Sequence, residues 1–246
     1  MKKEKSGGLG ETVRTVVYAA LIAVLIRTVA FEPFNIPSAS MVPTLLIGDY
    51  LFVSKYSYGY SHHSLPFSLP LFNGRILESA PNRGDVAVFK LPRDNKTDYI
   101  KRIIGVPGDR IQVQAGVLHL NGEAVRRQRL GEYIDYDRQG NGTRMTRYQE
   151  TLPGGKSYVV FEMTDAGPLD NTPVYVVPPG HYFGMGDNRD NSLDSRVLTQ
   201  VGYIPAENLV GRAEIIFFSS DGSARLWEVW KWPLAVRFQR LFQTIN

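Results

Sequence analysis

Short apolar runs separated by glycine-containing turns fill most of the chain between residues 49 and 218. The runs are rich in Val, Ile, Tyr and Phe, and turns such as Gly108-Asp109 and Asn121-Gly122 bound them. No long amphipathic helix lies between them, which favours a mainly β, antiparallel architecture. The predicted strands are Tyr50–Lys55, Asp85–Lys90, Tyr99–Val106, Arg110–Gln114, Val117–Leu120, Tyr158–Phe161, Val174–Val177, His181–Met185 and Arg212–Phe218.

An apolar segment near the N-terminus departs from this pattern. Three lysines at positions 2, 3 and 5 precede the run Val16–Ile26, which at about 1.5 Å per residue is too short to cross a ~30 Å apolar layer. Extension to Phe31 includes Arg27, whose long side chain can reach the lipid headgroups. We therefore expect a transmembrane anchor at residues 12–31, with residues 1–11 in the cytoplasm and the rest of the chain on the outer face.

Two other interpretations of this segment remain open. Thr28-Val29-Ala30 has the small-x-small form of a signal-peptide cleavage site, and cleavage there would leave a soluble chain beginning at Phe31. The segment could instead be a buried helix of a soluble protein. In each case Glu32-Pro33 is expected to end the helix.

The composition excludes several kinds of catalytic centre. The chain has no cysteine, so a thiol nucleophile, a disulfide and a thiolate metal site are impossible. The four histidines form no His-Glu-x-x-His motif, and the adjacent pair His62-His63 is expected to be polar loop residues, so no metal and no organic cofactor is predicted. Gly-x-Ser-x-Gly and Walker sequences are absent. The net charge of +4 is mild and the basic residues are scattered, so no nucleic-acid partner is expected.

Three segments carry the candidate chemistry: Ile36–Leu45 with two serines in a proline-flanked turn, Asp98–Asp109 with Lys101 in an apolar run, and Gly186–Arg196. A serine hydroxyl needs a base to remove its proton, and no histidine is credibly placed. A lysine, whose free pKa is about 10.4, can serve if burial keeps it neutral.

The strand pattern around Lys101 suits such burial. Tyr99, Lys101 and Ile103 share one face of the predicted strand, and that face is apolar except for the amine. Arg102 points to the opposite face, where Asp187 can pair with it. On the residues alone, an edge-strand lysine that reaches water remains an alternative.

Taken together, these segments resemble the bacterial type I signal peptidases, membrane-bound serine proteases that remove signal peptides from exported proteins. The resemblance covers most of the chain and rests on Glu32–Met41 with Pro43-Thr44-Leu45, Gly48-Asp49, Arg83–Val86, Tyr99–Arg102 with Pro107-Gly108-Asp109, and Gly186–Arg196. It implies an antiparallel β catalytic domain of signal peptidase type behind one transmembrane helix. It also implies cleavage at Ala-x-Ala sites, no cofactor, and a monomer whose partners are preprotein signal peptides and the phospholipid membrane, on the outer (periplasmic) face of the bacterial inner membrane.

By this resemblance Ser40 is the nucleophile and Lys101 the general base. The oxyanion hole would be the Ser40 N–H and the Ser38 hydroxyl, and Ser192 would orient the lysine. The supporting polar network would be Asp187, Arg102, Asp194 and Arg196. A pocket for small side chains would be shaped by Phe34, Ile36, Leu45, Leu51, Tyr99 and Ile100. The chain departs from the best-known Gram-negative members in having one anchor and no cysteine near the third motif, and in having Ala39 where a glycine is common.

The expected domain organisation follows from these assignments. Residues 32–109 and 181–220 form the catalytic β core, residues 110–180 an inserted β subdomain, and residues 221–246 a tail. Within the insertion, residues 126–157 are polar and are interpreted as an insertion or extended hairpin remote from the chemistry. The tail holds all three tryptophans among basic residues, which is typical of a membrane interface, although an ordinary packed C-terminal helix remains possible.

Two other functions also remain open. One is a Ser-Lys protease of the self-cleaving repressor type, although no helix-turn-helix pattern precedes Ser38. The other is a non-enzymatic, membrane-tethered β domain that binds partners, for which Ser40→Ala would be silent.

Overall fold

The computed structural model describes residues 9–65, 68–136, 142–225 and 227–245. Helix α1 spans Leu9–Val29 and helix α2 spans Trp232–Ala235. The strands are β1 Phe31–Asn35, β2 Asp49–Ser54, β3 Val86–Lys90, β4 Asp98–Gly105, β5 Arg110–Gln114, β6 Val117–Leu120, β7 Glu123–Ala124, β8 Arg126–Tyr136, β9 Gly142–Thr151, β10 Ser157–Glu162, β11 Tyr175–Val176, β12 His181–Met185, β13 Ile204–Pro205, β14 Leu209–Ser219 and β15 Gln243–Thr244. Short 3₁₀-helices lie at His62–Ser64, Arg189–Asn191, Ala206–Asn208, Val229–Lys231 and Phe238–Arg240.

Helix α1 stands apart from the β structure. Its segment Gly10–Val29 has a mean hydropathy of 1.7, and none of it is buried against the rest of the described chain. At about 1.5 Å per residue, 20 residues cover the ~30 Å of a bilayer core. The buried-helix interpretation is therefore wrong. The three N-terminal lysines lie outside the described residues.

The end of α1 differs from the predicted boundary at residue 31. The helix ends at Val29 because Phe31–Asn35 pairs antiparallel with β2 as an edge strand, where Pro33 is tolerated. Glu32 accepts hydrogen bonds from Arg27 at the helix end and forms an ion pair with buried Lys55. The helix is thus joined to the sheet directly.

The main sheet is antiparallel and has the strand order β1-β2-β14-β3-β4-β12-β13, with β15 on β14. Two smaller sheets have the orders β11-β5-β6-β7 and β10-β9-β8. The mainly β, antiparallel fold is confirmed, and every predicted strand lies on an observed one. His119 and His181 lie in strands that were predicted, β6 and β12, whereas the pair His62-His63 lies in a short 3₁₀-helix, where His63 is buried.

Residues 126–157 contain the long hairpin of β8 and β9, which agrees with the extended-hairpin interpretation, although no strand bounds were predicted within it. Strand β8 is largely exposed and β9 is mostly half-buried, and both are polar, so no clear alternation marked them in the sequence. The expectation that this region is remote from the chemistry is wrong for its base. There the buried carboxylate of Glu150 pairs with the guanidinium of Arg189, which lies in the third motif.

Three clusters of buried apolar side chains form the core. One of them packs Ile36, Met41, Leu45 and Leu51 beneath the segment that carries Ser40. Because several of these side chains are fully buried, the turn around Ser40 rests on a close-packed base.

The tail is not the packed C-terminal helix that was one alternative. Helix α2 has only four residues, with Pro233 in its first turn, and β15 returns to pair with β14. The tryptophan side chains lie outside the core, and Trp230 is 69% exposed.

Candidate active site

The first and second motifs meet at two side chains. Lys101, at the centre of β4, donates a hydrogen bond from Nζ to Ser40 Oγ at 2.7 Å, and a second to the Ile100 carbonyl oxygen at 2.9 Å. Both side chains are buried, at 3% and 8% exposure. The arrangement brings a serine hydroxyl within proton-transfer distance of an amine.

Burial lowers the pKa of the Lys101 amine to about 8. The nearby carboxylates of Asp194 and Asp187 act in the opposite direction, and Arg196 lowers the pKa further. The Lys101 side chain also lies over the ring of Tyr99, with Nζ 5.4 Å from the ring centroid. A lysine in this environment is substantially neutral in mildly alkaline solution.

The turn that carries Ser40 also presents Ser38 to solvent. The two hydroxyl oxygens lie 3.4 Å apart. Among the described residues, none accepts a hydrogen bond from the Ser40 N–H. Two donors are therefore available beside the hydroxyl of Ser40, as an oxyanion hole requires.

The third motif forms a loop held by buried ion pairs. Arg102 points away from Ser40 and binds Asp187 through Nε and Nη2, at 2.9 and 2.7 Å. Arg196 binds Asp194 through Nε and Nη2, each at 2.9 Å. Although burial alone raises the pKa of Asp194, its bonds with Arg196 outweigh burial and lower that pKa. These ion pairs fix the loop beside Ser40 and Lys101.

Ser192 does not make the contact with Lys101 that was expected of it. Its Oγ is buried and has no hydrogen-bond partner among the described residues. It lies against Gly186 instead: a Cβ built on Gly186 would be 2.1 Å from Ser192 Oγ and 2.5 Å from the Ser40 carbonyl oxygen. Only glycine allows this close approach.

A cavity of about 700 Å³ opens beside the dyad. Of the predicted pocket residues, Phe34, Ile36, Tyr99 and Ile100 line it. Leu45 and Leu51 do not, because both are fully buried in the cluster beneath the Ser40 turn. The other lining residues, which were not predicted, include Val88, Leu169, Asn191, Leu193 and Val197.

A cluster of carboxylates was also missed. Oxygens of Glu162, Asp170 and Asp190 lie within 4.8 Å of one another. Burial raises the pKa of Glu162 to about 8 even though Arg127 pairs with it. The spacing of the three residues in the sequence follows no ligand motif, so only the fold reveals the cluster.

Comparison with known proteins agrees with this geometry. A family model described as "Signal peptidase, peptidase S26" matches residues 9–218. The chain belongs to this family.

Similar proteins are signal peptidase I of Rickettsia typhi, 40% identical over 245 residues, and signal peptidase I of Rickettsia prowazekii, 39% identical over 245 residues. Each alignment covers 93% of this chain and 90% of the relative. A signal peptidase I from Enterococcus faecalis V583, known from a crystal structure, is 23% identical with a TM-score of 0.31, covering 55% of this chain and 97% of that chain.

Membership in the signal peptidase family confirms the predicted enzyme class. The protein is a serine endopeptidase that removes signal peptides from preproteins at the membrane. The family is membrane-anchored, and α1 is the helix in this chain that is long and apolar enough to serve as the anchor among the described residues.

Proposed function

We propose that Ser40 and Lys101 are the catalytic dyad of this signal peptidase. The observation that carries the proposal is the 2.7 Å distance between Lys101 Nζ and Ser40 Oγ, inside a buried environment that lowers the pKa of the amine. A neutral lysine can take the proton that a serine must lose to become a nucleophile.

The reaction then proceeds by acyl transfer. Lys101 accepts the hydroxyl proton as Ser40 Oγ attacks the scissile carbonyl carbon, and the resulting oxyanion receives hydrogen bonds from the Ser40 N–H and the Ser38 hydroxyl. The Lys101 ammonium returns the proton to the leaving amine as the peptide bond breaks. A water molecule, deprotonated by Lys101, hydrolyses the acyl-enzyme and regenerates Ser40.

The remaining polar residues have supporting roles in this proposal. The ion pairs Arg102–Asp187 and Arg196–Asp194 hold the loop of the third motif in place. The charges of Asp187, Asp194 and Arg196 also act on the pKa of Lys101. Ser192 lies between that loop and the nucleophile turn, with a free hydroxyl that can turn towards Lys101 when the substrate displaces solvent.

The cavity accounts for a preference for small side chains in the substrate. Its walls beside the dyad are Phe34, Ile36 and Ile100. The core side chains packed behind these residues prevent them from moving aside for a larger substrate side chain. Alanine side chains at an Ala-x-Ala site fit such walls, whereas large side chains clash. The strand segments on the two sides of the cavity suit a substrate bound in extended form as an added strand.

We also propose a single-pass topology with the N-terminus in the cytoplasm and the β domain on the outer face. The exposed tail tryptophans, with Arg225 and Lys231 beside them, suit the headgroup region of the same membrane. The enzyme acts as a monomer, since one chain supplies every residue of the dyad and the oxyanion hole. It takes no nucleic-acid partner, since its net charge of +4 is mild and its basic residues are scattered.

The decisive experiment is cleavage of a preprotein that carries an Ala-x-Ala site, in detergent, by the wild type and by Ser40→Ala and Lys101→Ala. Both variants should be inactive and folded. Ser54→Ala removes another buried serine and Lys156→Ala another lysine, each away from the cavity, and both should remain active.

Activity of Lys101→Ala would show that the base lies elsewhere. Cleavage at a position that does not follow the small residues would reject the proposed specificity. Activity of Ser40→Ala would show that the nucleophile lies elsewhere.

A further inference from the structure

Asn188 connects the third motif to the turn that carries Ser40. The residue is buried, at 2% exposure. Its side-chain Nδ2 donates a hydrogen bond to the Ala39 carbonyl oxygen at 3.1 Å, and its backbone N–H donates one to the Ser40 carbonyl oxygen at 3.1 Å. One residue therefore holds the carbonyl groups immediately before and immediately after the Ser40 Cα.

The first of these contacts determines where the Ser40 N–H points. In a planar trans peptide the C=O and the N–H lie on opposite sides of the chain. The Ala39 carbonyl and the Ser40 N–H belong to the same peptide unit. When Asn188 holds the carbonyl on one side, the N–H is directed to the other side.

We propose that Asn188 is a positioning residue of this active site, which orients the Ser40 N–H as an oxyanion donor by holding the peptide units on both sides of Ser40. This inference rests on the proposed role of Ser40 as the nucleophile. Asn188 does not touch the reacting atoms, and its effect reaches the substrate through the backbone of residues 39 and 40.

The position of Asn188 is itself fixed from the inserted subdomain. Strand β10 contacts the loop directly, where Phe161 N–H donates to the Asp187 carbonyl oxygen at 2.8 Å. The next residue, Arg189, forms a buried ion pair with Glu150 of β9, and its carbonyl oxygen accepts a hydrogen bond from Arg196 Nη2 at 2.6 Å. The insertion therefore supports the oxyanion hole through Asn188.

The rate loss expected on replacement of Asn188 is limited by a second hydrogen-bond donor to the Ala39 carbonyl. The Ala39 carbonyl also accepts a hydrogen bond from the Val42 N–H at 3.1 Å, within the turn itself. Loss of an oxyanion donor costs about 10²–10³ in rate. Because the Val42 bond remains when Asn188 is replaced, we expect misalignment of the donor, with a loss of roughly tenfold.

The test compares Asn188→Ala with a matched control, Asn208→Ala. Asn208 is equally buried and donates two hydrogen bonds through Nδ2, to the Lys90 carbonyl oxygen and Asn95 Oδ1, away from the cavity. With an Ala-x-Ala preprotein in detergent, Asn188→Ala should lower kcat roughly tenfold and leave KM within about twofold. Asn208→Ala should leave both constants unchanged.

Inhibitor affinity separates positioning from general loosening of the site. Ser40 Oγ attacks the carbonyl carbon of a peptide aldehyde ending in Ala-x-Ala, its proton passes to Lys101, and the aldehyde oxygen becomes an oxyanion in the hole. An uncleaved peptide with proline after the site binds without forming an oxyanion. Asn188→Ala should weaken binding of the aldehyde roughly tenfold and leave binding of the proline peptide unchanged. Equal weakening of both, or an unchanged kcat, would overturn the proposal.

Asn188→Asp keeps the shape and the backbone N–H but replaces the Nδ2 donor. It should lower kcat at least as much as Asn188→Ala, and it decides the question if the alanine variant does not fold. An active Ser40→Ala would instead refute the proposed function. An inactive Ser40→Ala with a normal Asn188→Asp would refute only the role of Asn188.

Discussion

Lys101 Nζ lies 2.7 Å from Ser40 Oγ, although the two residues are 61 positions apart in the chain. The amine belongs to a central strand of the main sheet, and the hydroxyl belongs to a turn that rests on buried apolar side chains. Because both supports are rigid, the pair needs no large movement before reaction. The pH dependence and the stability of the enzyme should both report on this contact.

Activity should have an acidic limb set by Lys101. The pKa of its amine is lowered to about 8, so the proposed base is protonated and inactive below that pH and neutral above it. We expect kcat/KM for an Ala-x-Ala preprotein to rise about tenfold per pH unit below pH 8 and to level off above it. Ser38→Ala should lower the plateau without moving the limb. A limb near pH 6.5, typical of histidine, would contradict the assignment.

Replacement of Lys101 by methionine should stabilise the fold at neutral pH while it abolishes activity. A pKa lowered from 10.5 to about 8 means that the folded state loses stability as the pH falls from about 10.5 to about 8. At pH 7 this costs about 3 kcal/mol. Loss of two hydrogen bonds offsets about 1 kcal/mol each, so Lys101→Met should raise the free energy of unfolding by about 1 kcal/mol.

Chemical denaturation at pH 7 and pH 10.5 measures this difference. The advantage of Lys101→Met should disappear at the higher pH, where the buried amine is neutral in the wild type as well. A variant that is less stable at both values would contradict the cost assigned to the buried amine.

Breaking the Arg102–Asp187 pair should be far more damaging than breaking a surface pair. Both side chains are essentially excluded from solvent, at 0% and 1% exposure. Asp187→Ala leaves the guanidinium without this carboxylate, and we expect a loss of about 3–5 kcal/mol in the free energy of unfolding. Lys231→Ala, which removes an exposed pair with Glu228, should leave the free energy of unfolding nearly unchanged. Equal effects would contradict the ranking.

Enlargement of the cavity should relax substrate selection. Ile100 lines the cavity and is only partly buried, so Ile100→Ala widens the wall without opening the core. We expect the variant to cleave preproteins with valine or leucine in place of an alanine of the Ala-x-Ala site more readily than the wild type does. Leu51→Ala should instead cost about 2–5 kcal/mol of stability with unchanged selectivity, because Leu51 lies in the core.

The tail should contribute to membrane binding. Trp227 and Trp230 are 67% and 69% exposed, and neither packs in the core. In a protein without residues 1–30, Trp227→Ser with Trp230→Ser should weaken binding to anionic phospholipid vesicles by about tenfold or more. Tyr133→Ser removes an exposed aromatic side chain from the β8–β9 hairpin and should have no effect. Unchanged binding by the tryptophan variant would reject the interfacial role.

The parts of the fold that could be predicted from the sequence have strong local signals. Strands such as Arg110–Gln114 and His181–Met185 begin and end where predicted, because turn residues bound each apolar run. The bounds of β8 and β9 could not be predicted, although an extended hairpin was one interpretation of this region, since these polar strands lack an alternating pattern. The boundary of α1 was placed too late because the pairing of Phe31–Asn35 with β2 is a tertiary contact.

The candidate site shows the same division. The motifs indicate Ser40, Lys101 and the Arg102–Asp187 pair because each is embedded in a distinctive segment. The prediction that Leu45 and Leu51 line the cavity was wrong. An apolar residue close in sequence to an active-site motif can equally well lie in the core beneath the cavity wall. The contact between Glu150 and Arg189 has no sequence signal, because it joins a hairpin to a loop 39 positions away.

That contact limits how the inserted hairpin can vary in length. Its outer part, including Leu130 and Ile134, is exposed, so residues can be added or removed there at little cost to the domain. Its base is different, because a shift of one residue in β9 would turn Glu150 to the opposite face of the strand and separate it from Arg189. Homologous hairpins should therefore differ in length while keeping their register at the end nearest the loop that carries Arg189.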